Sequence, residues 1–186
     1  MGKTVTDTTI LTLGNSEPHI ADSAFVAPGT RIVGDVTIGE DASVWYNCVI
    51  RADVSQVRIG ARTNIQDGST IHCDSAKGNH PGYPTIIGED CLIGHMVLLH
   101  GCTLEDRAFV GMGAIVLNGA LIESDGMLAA GAMLTSGKVI KSGQLWAGRP
   151  AKYLRDLTPE EIASNQEGVR HYVENAHRHS AVLRAR

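Results

Sequence analysis

An aliphatic residue recurs at every sixth position along most of the chain, and this period constrains the fold more than any other feature. Glycine often follows the aliphatic residue, and a small residue commonly stands two positions before the next one. A helical period of 3.6 residues does not fit the series, and strict alternation fits it only locally. The aliphatic residues, or their near equivalents, are Ile20, Val26, Ile32, Ile38, Val44, Ile50, Ile59, Ile65, Ile71, Ile87, Ile93, Leu99, Leu104, Val110, Val116, Ile122, Leu128, Leu134, Ile140 and Trp146.

This hexad pattern predicts a mainly β fold, a parallel β-helix in which each coil has three short strands and about 18 residues. The aliphatic side chains point inward and stack as a continuous core, and glycine supplies the backbone freedom that tight corners need. A generic β-sandwich would not keep the same phase over about 20 hexads. The low aromatic content of 4% and the 21 glycines also argue against a helical bundle.

We expect the β-helix domain to cover residues 1–151, with a leading strand or cap before Ile20, because terminal repeats of such folds are atypical. The interval from Ile71 to Ile87 exceeds one hexad by ten residues. Its polar residues, prolines and glycines predict a loop at residues 73–85 that protrudes from a corner.

The remaining residues, 152–186, are expected to form a C-terminal segment with an α-helix at about 159–178. Thr158 suits the N-cap, Pro159 the first helical position, and Glu161 completes a capping box. Apolar residues follow at helical spacing, so this helix should lie against the outside of the β-helix. The last ten residues are expected to be exposed and frayed.

Charge and composition narrow the possible partners and locations. The net charge is −4 and the sequence has no block of Lys or Arg, so no nucleic-acid partner is expected. No stretch approaches the roughly 20 apolar residues of a membrane span, and we expect a cytoplasmic protein without a membrane partner. The cysteines show no paired spacing and are expected to be free thiols; they are Cys48, Cys73, Cys91 and Cys102. Cys73 and Cys102, close to two of the histidines in the sequence, are expected to be small packing residues.

Two histidines are predicted to stack on one face of the β-helix. His72 and His100 are 28 residues apart, and subtracting the ten-residue loop leaves 18, which is one coil. Both follow an inward-facing aliphatic residue directly. Their backbones should therefore lie about 4.8 Å apart with both side chains pointing outward. That distance allows the two imidazoles to share a metal ion.

A third histidine, His95, lies only five residues before His100 and should emerge from a neighbouring face. One chain would then supply only two ligands, whereas in a cyclic homotrimer the neighbour's His95 could complete each site. Three imidazoles that leave one position open for water are typical of catalytic zinc. The alternative is that His72 and His100 are stacked surface residues and His95 is incidental.

Several short motifs follow one another in a specific order and spacing. They are Gly34-Asp-Val, Val49-Ile-Arg-Ala-Asp53, the run from Ile59 to Ser69, the isolated His72, and Gly94-His95 with His100-Gly-Cys102. In these motifs the sequence resembles the γ-class carbonic anhydrases and their close homologues among hexapeptide-repeat proteins, over about residues 18–162. The resemblance implies a left-handed β-helix, a homotrimer, and Zn²⁺ (Fe²⁺ or Co²⁺ in some members) held by His72 and His100 of one chain and His95 of the next.

The resemblance further implies a lyase that reversibly hydrates CO2 to bicarbonate. The chemical basis of this reaction is a bound metal that lowers the pKa of its water. The glutamates that serve proton transfer in the best-studied members are replaced here by Val54 and Ser75. Proton transfer would then use His80, Asp74 or the buffer, and the activity could be weak.

Further polar residues receive roles from the same resemblance. Arg51, Asp53 and Asp67 match residues that form ion pairs across the subunit interface. Arg51 and Asp53 are two apart on an extended segment and so share one face, and a guanidinium suits a carboxylate partner at an interface. The alternative is that these residues only assemble the trimer.

Three residues complete the predicted site. Gln66 matches the residue that hydrogen-bonds the metal-bound water or bicarbonate, and Asn64 is a candidate for its indirect support. Tyr153 matches a tyrosine that some members place near the metal. Two alternative functions stay open on this scaffold, namely thioesterase or acyltransferase chemistry, and a trimeric assembly module without catalysis.

Overall fold

The computed structural model describes residues 7–185 and confirms a mainly β fold, a parallel β-helix followed by one α-helix. The first six residues of the predicted β-helix domain, and Arg186, lie outside the described residues. The elements are β1 Thr9–Leu11, β2 His19–Ile20, β3 Phe25–Val26, β4 Arg31–Ile38, β5 Ser43–Val44, β6 Val49–Ile59, β7 Asn64–Ile65, β8 Thr70–His72, β9 Thr85–Ile87, β10 Leu92–Ile93, β11 Leu98–His100, β12 Thr103–Leu104, β13 Phe109–Val110, β14 Ile115–Val116, β15 Leu121–Ile122, β16 Met127–Leu128, β17 Met133–Leu134, β18 Val139–Ile140, β19 Gln144–Ala147, β20 Lys152–Asp156 and α1 Pro159–Arg184.

The strands form three ladders that run along the β-helix. The first half of β6 pairs with β8, and β11, β14 and β17 continue that ladder, which we call face 1. The second half of β6 pairs with β9, and β12, β15 and β18 follow on face 2. The third ladder, face 3, runs β3, β5, β7, β10, β13, β16, β19 and β20. A chain leaving face 3 thus turns one corner onto face 1 and a second corner onto face 2.

The predicted hexad residues form the core. From Ile32 to Ile140 nearly every one of them is almost completely buried, and pairs one coil apart, such as Ile71 and Leu99, are directly in register. Ile20, Val26 and Trp146, at the two ends of the series, are only partly buried and pack against the others. The inward stacking inferred from the sequence is confirmed.

The ten-residue excess forms a loop at the corner between faces 1 and 2. No strand lies between His72 and Thr85. The loop is one residue shorter than predicted, because Thr85 is the first residue of β9. The neck of the loop is closed by paired backbone hydrogen bonds between Asp74 and Tyr83. Tyr83 packs so closely over the next coil that a Cβ atom on Gly101 would lie 2.6 Å from the Tyr83 Cβ atom. The loop is therefore fastened to the β-helix surface.

The C-terminal segment contains a strand that the sequence did not predict. After a turn, β20 pairs antiparallel with β19 and extends face 3 by one strand. Helix α1 then begins at Pro159 with the predicted capping box, since the Thr158 hydroxyl accepts from the Glu161 amide and the Glu161 carboxylate accepts from the Thr158 amide. Among residues 7–185, no helix combines the length and the apolar character that a membrane crossing requires.

Helix α1 lies on the outside of face 3, against β3, β5, β7 and β10, and buries Val169 and Ala176. It continues to Arg184, beyond the predicted end at about residue 178. The added turns are held by His179, whose Nδ1 atom lies 2.9 Å from the Tyr46 hydroxyl and whose ring lies 5.0 Å from that of Trp45. Contacts with aromatic residues far away in the sequence therefore stabilise the last turns of the helix. Helical periodicity alone does not reveal such contacts.

The stacked core makes a prediction about stability. Replacing the fully buried Leu99 by Ala should lower the free energy of unfolding by about 2–5 kcal/mol, because it removes a stacked side chain and leaves a cavity. The matched change Leu154→Ala, at a leucine that is 60% exposed, should stay within about 0.5 kcal/mol. Urea denaturation measures both, and equal effects would contradict the inward stacking.

Candidate metal centre

His72 and His100 meet at the corner between faces 1 and 2. They end β8 and β11 and are direct partners in the parallel ladder between these strands. The Nδ1 atom of His72 lies 3.1 Å from Nε2 of His100, and the ring centroids are 5.0 Å apart. The register that we derived by subtracting the loop is therefore the register of the structure.

The other ring nitrogen of His72 faces a carboxylate. His72 Nε2 lies 2.9 Å from Asp53 Oδ1, and Arg51 pairs with the second oxygen of the same carboxylate. Burial opposes ionisation of Asp53, but the hydrogen bonds from His72 and Arg51 outweigh it and lower the pKa of this carboxyl below its ordinary value. Arg51 and Asp53 thus act within their own chain as partners of a predicted metal ligand.

The other side of His100 contacts residues that sequence reasoning did not assign to the site. His100 Nδ1 lies 2.5 Å from Asn118 Oδ1, and the Asn118 amide nitrogen donates to Asp74 Oδ2 at 2.7 Å. Asn118 is on the next coil and Asp74 is at the neck of the loop. We had considered Asp74 only for proton transfer. No motif singles out Asn118, but it stands 18 residues after His100, which is one regular coil, so the same coil count would have found it.

His95 lies at a different corner, between faces 3 and 1, two residues after the end of β10. Its Nδ1 atom is 2.9 Å from Asp67 Oδ2. These two residues are also 28 apart, and the loop correction that aligned His72 with His100 would have found this pair too. Over residues 7–185, no three His, Cys, Asp or Glu side chains come together as a metal-binding group. Within one chain, His95 therefore does not join His72 and His100.

Asn64 and Gln66 lie beside the His95 corner. Asn64 begins β7 and Gln66 follows this strand, one coil before His95, and both side chains are almost fully buried. Gln66 Nε2 donates to Asn64 Oδ1 at 3.0 Å, and Asn64 Nδ2 donates to the carbonyl of Cys91 at 3.2 Å. Asn64 therefore fixes the orientation of the Gln66 amide. The predicted site residues fall into two groups, one at each corner.

Two residues considered for the site lie elsewhere. Tyr153 is on β20, half exposed, and its hydroxyl donates to Asp156 at 3.1 Å. His80 is in the loop, where its ring packs on Tyr83 at a centroid distance of 4.3 Å and its Nδ1 atom accepts from the Gly82 amide. The described residues give neither of them a hydrogen bond to a predicted metal ligand.

The donor set at the His72–His100 corner suits a metal cation. Two ligand nitrogens of a tetrahedral zinc ion at 2.0–2.1 Å lie about 3.3 Å apart, close to the 3.1 Å observed. Each ring also uses its remaining nitrogen for a hydrogen bond to an oxygen, the arrangement that orients histidine ligands in metalloproteins. The pair therefore fits two ligands of a zinc site.

Comparison with known proteins identifies the family. A probable carbonic anhydrase from Methanocaldococcus jannaschii is 53% identical over 154 residues, which cover 83% of this chain and 93% of the relative. This chain belongs to the γ-carbonic anhydrase-like family of hexapeptide-repeat proteins. The family model "Bacterial transferase hexapeptide (six repeats)" matches residues 17–52. Gamma carbonic anhydrase 1, mitochondrial, of Arabidopsis thaliana is 46% identical over 175 residues, or 93% of this chain.

The chain spans 63% of the length of that plant γ-carbonic anhydrase. Solved structures show the same fold over nearly the whole chain. A putative acetyltransferase from Bacillus cereus is 40% identical, with a TM-score of 0.90 and coverage of 95% of this chain and 99% of the other. A hexapeptide transferase family protein from Anaplasma phagocytophilum is 45% identical, with a TM-score of 0.84 and coverage of 91% and 96%. Proteins similar to this chain are thus named both as anhydrases and as transferases.

The cysteines of this γ-carbonic anhydrase-like chain are core residues. All four are buried and free. Burial raises the pKa of the Cys48 thiol to about 11 and those of Cys91 and Cys102 to about 12. Burial likewise raises the pKa of Cys73, which stands next to His72. A raised thiol pKa disfavours the thiolate that a metal ligand or a nucleophile requires.

We therefore predict that the native protein resists thiol modification. Because a raised pKa leaves little thiolate at pH 8, an aromatic disulfide reagent should react with native protein at least about 100-fold more slowly than with protein unfolded in guanidinium. The unfolded protein, with its four cysteines, serves as the control for full reaction. Fast modification of any thiol in the native protein would contradict its assignment to the core.

Proposed function

We propose that this protein is a homotrimeric γ-type carbonic anhydrase that reversibly hydrates CO2 to bicarbonate. His72 and His100 of one subunit and His95 of the next hold the metal. The observation that carries the proposal is the approach of the His72 and His100 ring nitrogens to 3.1 Å on adjacent coils. Among residues 7–185, no third histidine, cysteine or carboxylate joins them as a metal-binding group. In this proposal the neighbouring subunit of a cyclic assembly supplies the third ligand.

The residues of the His72 corner prepare the first two ligands. Asp53 accepts from His72 and so fixes the ring with its other nitrogen toward His100. Arg51 pairs with the same carboxylate and neutralises its charge. A carboxylate behind a histidine ligand raises its basicity and restricts its rotation, which favours metal binding. We assign Arg51 and Asp53 this positioning role, in addition to any contact with a neighbouring subunit.

The residues of the His95 corner contribute the third ligand and a polar contact for the substrate. Asp67 holds His95 by one ring nitrogen and leaves the other available. Gln66 Nε2 donates one of its two N–H groups to Asn64, so the second N–H and the carbonyl oxygen are left for a water or a bicarbonate. We place Tyr153 outside the catalytic set, because its hydroxyl donates to Asp156 on its own strand.

Zinc is the proposed metal because three imidazoles and an open position suit it, and Fe²⁺ or Co²⁺ fits the same nitrogen donors. When bound, the metal supplies the Lewis acidity that lowers the pKa of a coordinated water to about 7. A base is then needed to take up the proton that this water releases. Val54 and Ser75 offer no carboxylate for this step. His80 and Asp74 already make hydrogen bonds to Gly82 and Asn118, so we propose that the buffer accepts the proton. We also propose a cytoplasmic location, in keeping with the prokaryotic relatives.

This proposal predicts zinc-dependent CO2 hydration that is limited by proton transfer. Stopped-flow assays of zinc-loaded protein should show a rate that rises with buffer concentration, because the buffer carries the proton away. His100→Ala should lower kcat/KM by at least about 100-fold, since it removes a metal ligand. His177→Ala, at an exposed histidine of helix α1, is the matched control and should leave the rate unchanged.

The alternative of acyl transfer or thioester hydrolysis is tested with the same preparations. The similarity to a putative acetyltransferase from Bacillus cereus justifies measuring acyl-coenzyme A turnover in parallel. Thioester turnover without CO2 hydration in fully metallated protein would overturn the anhydrase proposal. No activity of either kind at any buffer strength would instead favour a trimeric assembly module.

A further inference from the structure

A continuous hydrogen-bonded chain links the candidate ligand His100 to the neck of the loop. His100 Nδ1 lies 2.5 Å from Asn118 Oδ1, and Asn118 Nδ2 donates to Asp74 Oδ2 at 2.7 Å. The second oxygen of Asp74 accepts from the amide of Ser75 at 2.9 Å. His100, Asn118 and Asp74 are each half-buried. These three residues come from three separate segments, and the fold alone brings them together.

The carboxylate of Asp74 determines which groups donate and which accept along this series of hydrogen bonds. An ionised carboxylate can only accept hydrogen bonds, so the Asn118 group that faces it has to be the amide nitrogen. The Asn118 carbonyl oxygen then faces His100, and a carbonyl oxygen also only accepts. The proton on the neutral His100 ring must consequently sit on Nδ1. This leaves an unprotonated Nε2, the atom that faces His72 at 3.1 Å.

We propose that Asn118 and Asp74 are a positioning pair that sets the tautomer and the orientation of His100, so that its Nε2 lone pair is presented toward His72. The assignment of the donors follows from which atoms can accept, and a flipped Asn118 amide would set two acceptors, its oxygen and the Asp74 carboxylate, against each other. Neither residue touches the substrate in this proposal. Their effect on the chemistry passes through His100 alone.

The neck of the loop holds Asp74 in position beside Asn118. This neck is closed by the backbone bonds between Asp74 and Tyr83. Just after the neck, the buried Thr85 hydroxyl donates to the His72 carbonyl at 2.5 Å and accepts from the Gly101 amide at 2.9 Å. The neck is therefore fixed to the backbone next to both histidines. In this proposal the insertion serves to orient the metal ligands.

The first test reads the tautomer of His100 and requires no metal. Two-bond ¹H–¹⁵N correlation spectra of metal-free protein are recorded at a pH of about 8.5, where free imidazole is neutral. The parent protein should show His100 protonated on Nδ1. Asn118→Leu removes the acceptor, and a population protonated on Nε2 should appear. The same tautomer in the parent and in Asn118→Leu would overturn the proposal.

An exchanged pair provides the rescue experiment. In the double variant Asp74→Asn with Asn118→Asp, a carboxylate beside His100 still only accepts, and an amide at the loop neck can still donate to it. The Nδ1-protonated form should therefore return, although two side chains have changed. Asp74→Asn alone removes the constraint on the Asn118 amide and should give a mixture of tautomers. An exchanged pair that behaves like Asn118→Leu would contradict the directional argument.

The second test measures metal affinity and rests on the proposed function. Competition between the protein and a chelator for Zn²⁺ should show binding weakened by about 10- to 100-fold in Asn118→Leu and near-parental binding in the exchanged pair. Asn175→Leu is the matched control, because Asn175 lies 2.8 Å from His171 on helix α1, an Asn–His pair outside the site. The Zn²⁺ affinity of Asn175→Leu should equal that of the parent. An Asn118→Leu variant that also binds Zn²⁺ with parental affinity would overturn the proposal.

The two readouts separate failure of this inference from failure of the proposed function. If the parent and His100→Ala bind Zn²⁺ equally, the metal site is wrong, and the tautomer spectra alone then decide whether Asn118 positions His100. If the parent binds Zn²⁺ through His100 but Asn118→Leu matches it in affinity and tautomer, only the positioning pair is wrong. Thermal melting of each metal-free variant checks that the fold is retained.

Discussion

The register between successive coils is the constraint on which the rest of the structure depends. Each inward aliphatic residue stacks on one from the coil before, so a slip by one residue would turn core side chains to the surface. The same register determines which outward side chains become neighbours. His72 and His100 meet because Ile71 and Leu99 are partners in the core ladder, and Asp67 meets His95 because the intervening loop is compensated in the same way.

The periodic part of the chain was predictable because every hexad contributes the same physical signal. The C-terminal strand β20 and the last turns of the helix were not predicted, since they depend on antiparallel pairing with β19 and on the ring of Trp45, far away in sequence. Within the site, the stacking of His72 and His100 followed from counting. The same count of 18 residues leads from His100 to Asn118, but an asparagine in the sequence carries no sign that its side chain meets a histidine.

The predicted site residues are distributed over two corners of the β-helix. Face 1 begins at the corner of His95 and ends at the corner of His72 and His100. One corner provides two aligned imidazoles held by Asp53 and Asn118. The other provides a single histidine held by Asp67, beside a buried Gln66. A rigid β-helix keeps these groups apart within a chain, so the proposed chemistry depends on assembly.

Subunit complementation tests this central claim most directly. His95→Ala and His100→Ala chains are unfolded, mixed in equal amounts, refolded together and assayed for bound zinc. With ligands shared between subunits of a cyclic trimer, every mixed trimer has one interface with all three histidines, and random mixing should restore about a quarter of the parental zinc. Each variant refolded alone should bind almost none. If the mixture binds no more zinc than the separate variants, the ligands are not shared between subunits.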